Sequence, residues 1–362
     1  MELHQPTAQA RPSVEPTVLA PRVRVLASFA LLSLITGGCW SDSPGREQVV
    51  VYVALDQPFS QPILDDYARA SGMRVRSKFD AESTKTLGLT TEIMQEARRP
   101  RCDLFWNNEI LNTLRLEEKG LLDTYRSPAA AEYPEIFRSP RGAWYGFAAR
   151  ARILLVNTRL VAEGRRPASI RDLADAEWRG KCGIAKPLFG TTATHAACLF
   201  AEWGEEQAKE FFEAIKANEI RIMSGNKQVA VAVGGGQLTF GLTDTDDAIV
   251  EIENGSPVEI VYPDQGDDGL GTLFIPNTLA IIKGCQHPEA ARKLVDHLLS
   301  PEVEERLARG PSAQIPLNPA VKEVPRVQTP ATIKAMPVDF AAAARQWETA
   351  AAFLREKFAT AE

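Results

Sequence analysis

The chain has 362 residues, of which 44% are hydrophobic and 24% are charged, and its formal net charge is −6 at pH 7. This composition is that of a globular protein with enough residues for two domains of ordinary size. A mildly acidic chain has the wrong charge for holding a phosphate backbone, so we predict no nucleic-acid partner.

The N terminus has the features of a secretory signal peptide. Basic residues precede an apolar run over 25–35, which is too short for a stable transmembrane helix, and small residues follow it. Residues 34–39 read LITGGC and resemble a bacterial lipobox, which implies cleavage before Cys39 and a lipid on that cysteine. Ordinary cleavage near Gly38, which leaves Cys39 as a free thiol, is the alternative.

These features predict the compartment of the mature protein. We expect a signal peptide over 1–38, a polar lipid-anchor tether over 39–47, and then the folded body. The mature protein is expected in the periplasm or on the outer face of the cell membrane, and the lipid on Cys39 is the only covalent group predicted. In this oxidising compartment cysteines tend to pair, and Cys182 with Cys198 is favoured over two reduced, buried thiols.

Strands and helices alternate along the folded body. β-rich apolar runs and helical spacing of apolar residues predict, in chain order, a strand at 48–54, a helix at 59–70, a strand at 74–79, a helix at 85–98, a strand at 102–106, a helix at 110–120, strands at 153–156 and 183–185, helices at 192–203 and 205–218, strands at 238–242, 258–262 and 278–281, and helices at 288–299 and 301–309. This alternation implies an α/β fold with right-handed crossovers.

Many enzymes share such an alternation, so the motifs that are missing narrow the choice. The sequence has no GxGxxG after a strand, no GxxxxGK[ST], no GxSxG and no HExxH. Dinucleotide, nucleotide, hydrolase and zinc-protease chemistries therefore lack their usual markers. We predict that the chain is not an enzyme, and an exported α/β enzyme is kept as an alternative.

Five short segments, in this order, resemble the periplasmic ferric-iron-binding proteins and related solute receptors of ABC importers. They are VVVY at 49–52, CDLFW at 102–106, RARILLVNT at 150–158, NKQVA at 226–230 and IPLNP at 315–319. The resemblance implies a two-lobed periplasmic-binding-protein fold of type II, in which each lobe is a mixed, mostly parallel sheet flanked by helices. It also implies a receptor, expected to be a monomer, that passes a small ligand to an ABC permease and its ATPase.

The resemblance also implies where the lobes begin and end. The expected segments are lobe 1 at 48–148, lobe 2 at 149–270, a return to lobe 1 at 271–315 and a C-terminal helical segment at 316–362. The chain is expected to cross between the lobes near 148–152 and again near 269–276. Movement about these hinges would close the cleft over a ligand.

Residues of the cleft differ from those of the resembled family. That family holds ferric ion with a histidine after the first strand, a glutamate after the third, and two adjacent tyrosines in the second lobe. Here Asp56 stands at the histidine position, Asn108 or Glu109 at the glutamate position, and Thr245 and Asp246 at the tyrosine positions. We predict that these residues bind a cation, which is iron, another metal ion or an ammonium group.

The segment GLTDTDD at 241–247 ends an apolar strand, where open α/β sheets bind their ligands. Three carboxylates this close repel one another unless a cation or hydrogen-bond donors compensate them. We therefore predict that Asp244 or Asp246 contacts the ligand. The alternative is a helix cap, in which Thr243 or Asp244 is the capping residue and Asp246 and Asp247 complement the helix dipole.

An anion seat is predicted in the loop FGTTATH at 189–195, between a strand and a helix. Backbone N–H groups and hydroxyls at the start of a helix attract anions, and the resemblance places an accompanying anion here. An arginine nearby is able to grip an oxyanion with two hydrogen bonds. The residues predicted to hold the anion are Arg150, Gly190, Thr191, Thr192, Asn226 and Thr243. The alternative is that Thr191 only caps the helix and Arg150 forms a surface ion pair.

Three functions remain open on the sequence. The first is a receptor for ferric iron or another metal ion with a synergistic anion. The second is a receptor for an organic anion, such as a phosphonate or phosphate ester that carries an amine. The third is an exported enzyme. We favour a receptor over an enzyme, and the metal over the organic anion.

Overall fold

A computed structural model describes residues 47–80 and 87–359 of the chain. The predicted signal peptide at 1–38 and the predicted lipidation site at Cys39 lie outside these residues. None of the helices in the described ranges combines the length and the apolar character that a transmembrane helix needs.

Within the described ranges the chain forms nine strands and ten α-helices. The strands are β1 (Gln48–Val53), β2 (Arg74–Phe79), β3 (Leu104–Asn107), β4 (Tyr145–Asn157), β5 (Cys182–Ala185), β6 (Arg221–Met223), β7 (Phe240–Asp244), β8 (Val258–Val261) and β9 (Phe274–Ile281). The helices are α1 (Gln57–Ser71), α2 (Leu87–Gln95), α3 (Leu111–Glu118), α4 (Gly190–Trp203), α5 (Glu205–Ala217), α6 (Asn226–Gly234), α7 (Thr245–Glu253), α8 (Pro288–Leu298), α9 (Pro301–Arg309) and α10 (Phe340–Phe358).

The described strands join into one mixed sheet in the order β2-β1-β3-β9-β4-β7-β5-β6, and β8 pairs with β4. The parallel pairings lie at the two ends of this order, where β1 pairs with β2 and β3, and β5 pairs with β6 and β7. The antiparallel pairings lie between these two ends and involve the long strands β4 and β9. Strand β9 pairs with β3 and β4, and β4 also pairs with β7 and β8. The fold is therefore α/β, with a first half around β1 and a second half around β5.

Strand β4 connects the two halves. Its beginning pairs with β9, and its end pairs with β7 and β8. The register with β9 shifts between Phe147 and Arg150, and Ala148 has φ of 44°, which is rare for a residue with a side chain. Beside it, Ala149 pairs with Ile315. This bend lies at the first predicted crossing, while the predicted lobe boundaries themselves stay predictions.

A buried carboxylate fixes this bend. Glu304 of α9 is 0% exposed, and its oxygens accept hydrogen bonds from the backbone N–H groups of Ala148 at 2.5 Å, Leu317 at 3.0 Å and Asn318 at 2.5 Å. Burial raises the pKa of Glu304 to about 7, although the backbone donors act in the opposite direction. One side chain of the first half thus ties β4 to the segment that returns beside it.

The core of the first half is built on both faces of β1. Val49, Val51 and Val53 face one cluster of buried side chains, which includes residues of α1 and α8, whereas Tyr52 belongs to the cluster on the opposite face. Successive residues of a strand point to opposite faces, so an unbroken apolar run is what a strand covered on both sides requires. Each fully buried valine side chain contributes about 1.5–3 kcal/mol to the stability of the fold.

The C-terminal segment is only partly the helix that the sequence predicts. Helix α10 covers Phe340–Phe358, whereas 316–339 contains no helix because five prolines interrupt it. Helix α10 packs on α3 of the first half and on α4 and α5 of the second half. At its contact with α3, the guanidinium of Arg115 lies 5.0 Å from the ring centre of Trp347.

The predicted disulfide is wrong. The four cysteines of the described residues are free thiols, namely Cys102, Cys182, Cys198 and Cys285. Cys182 and Cys198 are buried separately in the core, and burial raises the pKa of both thiols, to about 12 for Cys182. A thiol held in its neutral form packs like a small apolar side chain, which was the alternative left open by the sequence.

Candidate functional site

A small polar cavity lies where the two halves of the sheet meet. Its volume is about 20 Å³, which is enough for one water-sized body. The predicted site residues that line it are Asp56, Asn108, Arg150, Gly190, Thr191, Asn226, Asp244 and Asp246. Asp247 also lines it. Residues from distant parts of the sequence, which were predicted separately as cation and anion ligands, thus share one cavity.

The fold explains why these residues converge. Asn108 directly follows β3, and Asp56 lies three residues after the end of β1, at the N-cap of α1. Thr191 and Asn226 lie in the first turns of α4 and α6. Asp244 is the last residue of β7. Each side chain therefore lies at the end of a strand or between that end and the first turn of the following helix, and these positions form the ligand-binding edge of an open α/β sheet.

Asp244 is held by donors from three elements. Its Oδ1 accepts a hydrogen bond from Nη1 of Arg152 at 2.7 Å, and its Oδ2 accepts from Oγ1 of Thr191 at 2.6 Å and Nδ2 of Asn226 at 3.0 Å. The side chains of Arg152 and Asp244 are 0% and 3% exposed. Thr191 and Asn226, which were predicted to hold an anion, thus hold a carboxylate of the chain itself.

The structure also tests the alternative interpretation, in which Thr243 or Asp244 caps helix α7. Asp244 occupies the N-cap position of α7, but within the described chain its side chain makes no capping hydrogen bond. Thr243 does not cap α7 either, because its hydroxyl donates to the backbone oxygen of Asn226 at 2.9 Å. The predicted N-cap position of Asp244 and the acidic first turn with Asp246 and Asp247 are confirmed, whereas the capping hydrogen bond is not.

Neighbouring side chains hold Asn226 in place beneath Asp244. Thr192 donates to Oδ1 of Asn226 at 3.1 Å, and Nη1 of Arg152 donates to the same oxygen at 3.1 Å. Nη2 of Arg152 also donates to Thr192 at 3.3 Å. Gly190, the first residue of α4, has φ of 60°, a conformation that favours glycine. Arg152 is therefore the centre of this network, and the sequence analysis missed it as a site residue.

A second buried ion pair lies beside the first. Nη1 of Arg150 is 3.1 Å from Oδ2 of Asp246, and Nη2 of Arg150 donates to Oδ1 of Asn277 at 3.1 Å. Nε2 of Gln314 donates to Oδ2 of Asp246 at 3.3 Å. Burial lowers the pKa of Arg150, but the carboxylates of Asp246 and Asp244 outweigh burial and raise it. Arg150 is thus a buried cation and not the surface ion-pair partner of the alternative interpretation.

The two pairs have a signal in the sequence. In β4 and β7 the strands run antiparallel, and Arg152 lies opposite Asp244. Arg150 lies two residues before Arg152 in β4, and Asp246 lies two residues after Asp244, just beyond β7. The motifs RAR at 150–152 and DTD at 244–246 therefore match charge for charge once the strands are paired.

Two residues, Asn108 and Glu109, were predicted for the position that a glutamate ligand occupies in the resembled family, and the structure separates them. Asn108 lines the cavity, whereas Glu109 is 0% exposed and does not line it. The oxygens of Glu109 accept from the backbone N–H of Leu111 at 2.6 Å and of Asn112 at 3.0 Å, at the start of α3. Oγ1 of Thr194 in α4 donates to Glu109 at 2.8 Å. Glu109 thus joins the two halves, and its predicted role as a ligand has no contact with the cavity to support it.

Thr245 also has a backbone partner. Its Oγ1 accepts a hydrogen bond from the backbone N–H of Ala151 at 3.1 Å, which anchors the start of α7 to β4. Beside it the carboxylates of Asp244, Asp246 and Asp247 each offer an oxygen within 4.8 Å of the others. Oxygen ligands at this spacing suit a hard metal cation.

A larger pocket of about 530 Å³ adjoins the cavity and shares Asp56 and Asp247 with it. Phe59 and Phe79 line it from the first half, and Val250 of α7 lines it from the second half. The polar cavity therefore continues into a mixed polar and apolar space between α1 and α7.

Comparison with known proteins identifies the family. A model of the bacterial extracellular solute-binding proteins matches residues 108–343. The chain belongs to this family. Bacterial extracellular solute-binding proteins act in transport and are not enzymes, so the prediction of a binding protein is confirmed.

Individual relatives support the same family. Iron uptake protein A1 of Synechocystis is 25% identical over 297 residues, which cover 78% of this chain and 81% of the relative. The major ferric iron-binding protein of Neisseria meningitidis is 22% identical over 80% of this chain and 86% of the relative. A putative 2-aminoethylphosphonate-binding periplasmic protein of Salmonella typhi is 20% identical over 78% of this chain and 82% of the relative.

Solved structures confirm the predicted fold. Iron-bound HitA from Pseudomonas aeruginosa has a TM-score of 0.78 at 22% identity and covers 86% of this chain and 99% of its own. AfuA from Actinobacillus pleuropneumoniae, with fructose-6-phosphate bound, has a TM-score of 0.77 at 22% identity, covering 87% and 99%. The described chain therefore has the type II periplasmic-binding-protein fold, and the resemblance to the ferric-iron-binding proteins is confirmed.

Proposed function

We propose that this protein is the receptor of an ABC importer and that it binds a metal cation, with ferric iron as the first candidate. One observation carries the choice of ligand. Oxygens of Asp244, Asp246 and Asp247 lie within 4.8 Å of one another in the cavity that Asp56 lines from the first half of the fold. Closure of the two halves then brings carboxylates from both sides onto one ion.

The charge of the cavity supports a cation. Four aspartates and Arg150 line it, and Arg152 lies directly behind Asp244. Four formal negative charges and two positive charges leave a formal charge of −2 around a cavity of about 20 Å³. Hard cations prefer carboxylate oxygens, and such an ion compensates the excess of acid. The relatives whose names refer to iron agree with this choice.

The proposal includes the surroundings of the receptor. The chain is exported, acylated on Cys39 and held at the outer face of the cell membrane, from which it delivers the ion to a permease and its ATPase as a monomer. Labelling of cells with a radioactive fatty acid tests the anchor. Label on the wild type and none on Cys39→Ser is expected, and an unlabelled wild type contradicts lipidation.

Calorimetric titration of the apo-protein with ferric citrate, Mn²⁺ and 2-aminoethylphosphonate tests the ligand. We expect the metal to bind and both Asp246→Asn and Asp247→Asn to weaken binding about tenfold or more, because each removes an anionic ligand. The matched control is Asp268→Asn, since Asp268 is exposed in a turn outside the cavity. Failure of every metal to bind, or unchanged affinity in Asp246→Asn, contradicts the proposal.

A second candidate is an organic anion that carries an amine. Arg150 lines the cavity, and the adjoining pocket of about 530 Å³ has room for an organic group. In this case the acid group contacts Arg150 and the amine contacts an aspartate. Binding of 2-aminoethylphosphonate without metal, abolished in Arg150→Met, favours this candidate over the metal.

A further inference from the structure

We propose that Asp244 is a built-in anion, whose carboxylate takes the place of an accompanying anion from solution. The receptor then binds its cation without carbonate or phosphate. This consequence rests on the proposed function. That Asp244 fills an anion site of its own protein does not depend on any bound metal and is tested separately.

The groups that surround the carboxylate of Asp244, which we call its seat, are those of an anion-binding site. A guanidinium from β4 and two polar groups from the first turns of α4 and α6 converge on the carboxylate of Asp244, at 2.6 to 3.0 Å. The N-cap residues of these helices are Phe189 and Gly225, whose side chains contain no acceptor. The side chains of Thr191 and Asn226 thus place this anion beside the N-terminal turns of two helices whose own caps supply no acceptor.

The position of Asp244 argues against a purely structural ion pair. At the N-cap of α7, an aspartate ordinarily accepts hydrogen bonds from its own helix. Here the side chain is instead directed to Arg152, and it lines the ligand cavity within 4.8 Å of the oxygens of Asp246 and Asp247. Asp244 is therefore both the anion in the seat and a wall of the cation site.

Removal of this carboxylate has a specific consequence. The guanidinium of Arg152 is 0% exposed, and in Asp244→Ala it loses its carboxylate partner while the donors of Thr191 and Asn226 remain. A buried charge without its counter-ion is strongly unfavourable. The space left by the carboxylate suits formate, so a small anion from solution is expected to enter and restore the balance.

Thermal unfolding of Asp244→Ala tests this expectation with formate, acetate and phosphate against chloride at equal ionic strength. We expect formate to raise Tm saturably, by about 2–4 °C at ten times its Kd. The wild type should not respond, because its seat is filled. Asp244→Ala combined with Arg152→Met should not respond either, because the guanidinium is gone. An unresponsive Asp244→Ala, or a wild type that itself binds phosphate saturably, overturns the proposal.

A measurement on the wild type covers the case in which Asp244→Ala does not fold. The affinity for Mn²⁺ and for ferric nitrilotriacetate is compared in buffer free of carbonate and phosphate and after addition of each anion. We expect each affinity to stay within about twofold, whereas a tenfold gain overturns the built-in anion. If neither metal binds under any condition, the proposed function fails, and phosphate binding to the wild type then decides whether the seat is filled.

Discussion

Two buried carboxylates in this molecule are stabilised in opposite ways. Asp244 lies against a guanidinium and two side chains at the ligand cavity, whereas Glu304 is held by backbone N–H groups behind the bend of β4. The first arrangement keeps a charge balanced where a charged ligand is to bind. The second has no arginine among these donors, and burial raises the pKa of Glu304 to about 7. The guanidinium of Arg152 therefore balances the charge of Asp244, whereas burial opposes the charged form of Glu304.

The largest expected effect comes from removal of the cation in the first arrangement. Arg152→Met leaves Asp244 in the protein interior without its guanidinium partner, and loss of one member of a buried ion pair costs about 3–5 kcal/mol. The free energy of unfolding in urea measures the loss. Arg101→Met is the control, because the side chain of Arg101 is 67% exposed and an exposed ion pair such as that with Glu96 adds little to stability. Equal losses in the two variants would contradict the distinction.

Glu304→Gln sharpens the comparison through its pH dependence. The amide places a donor among backbone donors, so we expect a loss of about 1–3 kcal/mol. In the wild type the folded-state pKa of about 7 lies above the ordinary value of 4.5, so the folded protein binds more protons between these values and its stability falls as pH rises through them. The deficit of the variant should therefore be largest near pH 5 and shrink towards pH 8.

Urea midpoints of wild type and Glu304→Gln across that range provide the measurement. Glu302→Gln is the matched control, since Glu302 lies in the first turn of the same helix and is exposed. A deficit that stays constant from pH 5 to pH 8 would mean that Glu304 stays ionised and that its backbone donors outweigh burial.

The smallest expected effect concerns Glu109, a third buried carboxylate that joins the two halves. Thr194→Val keeps the shape of the side chain and removes one of the hydrogen bonds to Glu109, so we expect a loss of about 1 kcal/mol. The backbone donors of α3 remain. Thr124→Val, at an exposed position, serves as the control. An unchanged urea midpoint in Thr194→Val would show that this link between the halves contributes nothing measurable.

The sequence predicts much of the fold because its strongest patterns are local. The bounds of β2 at Arg74–Phe79 and of α9 at Pro301–Arg309 are as predicted. Helix α6 was missed, because its sequence ends in VAVG before further glycines and shows neither the apolar spacing of a helix nor that of a strand. Strand β4 was predicted over 153–156 but covers Tyr145–Asn157, because two arginines interrupt the apolar run that marks a buried strand.

The candidate site was predicted in part for the same physical reason. Asp56, Thr191 and Asp244 stand at strand ends and helix starts, where local patterns point to ligands, and they do line one cavity. The partners of these residues depend on strand pairing, which no local pattern contains. Arg152 was therefore missed, and the arginine assigned to the anion, Arg150, belongs instead to Asp246.

The matched motifs RAR and DTD have a consequence for how this scaffold changes its ligand during evolution. Four charges stand as two couples on an otherwise apolar framework, so a single substitution that removes one of them changes the formal charge of the site by one unit. Loss of an acid turns a couple into a receptor for oxyanions, and loss of an arginine makes the site a stronger chelator. A change of solute preference by this route therefore also lowers the stability of the protein, because the remaining member of the couple is a buried charge.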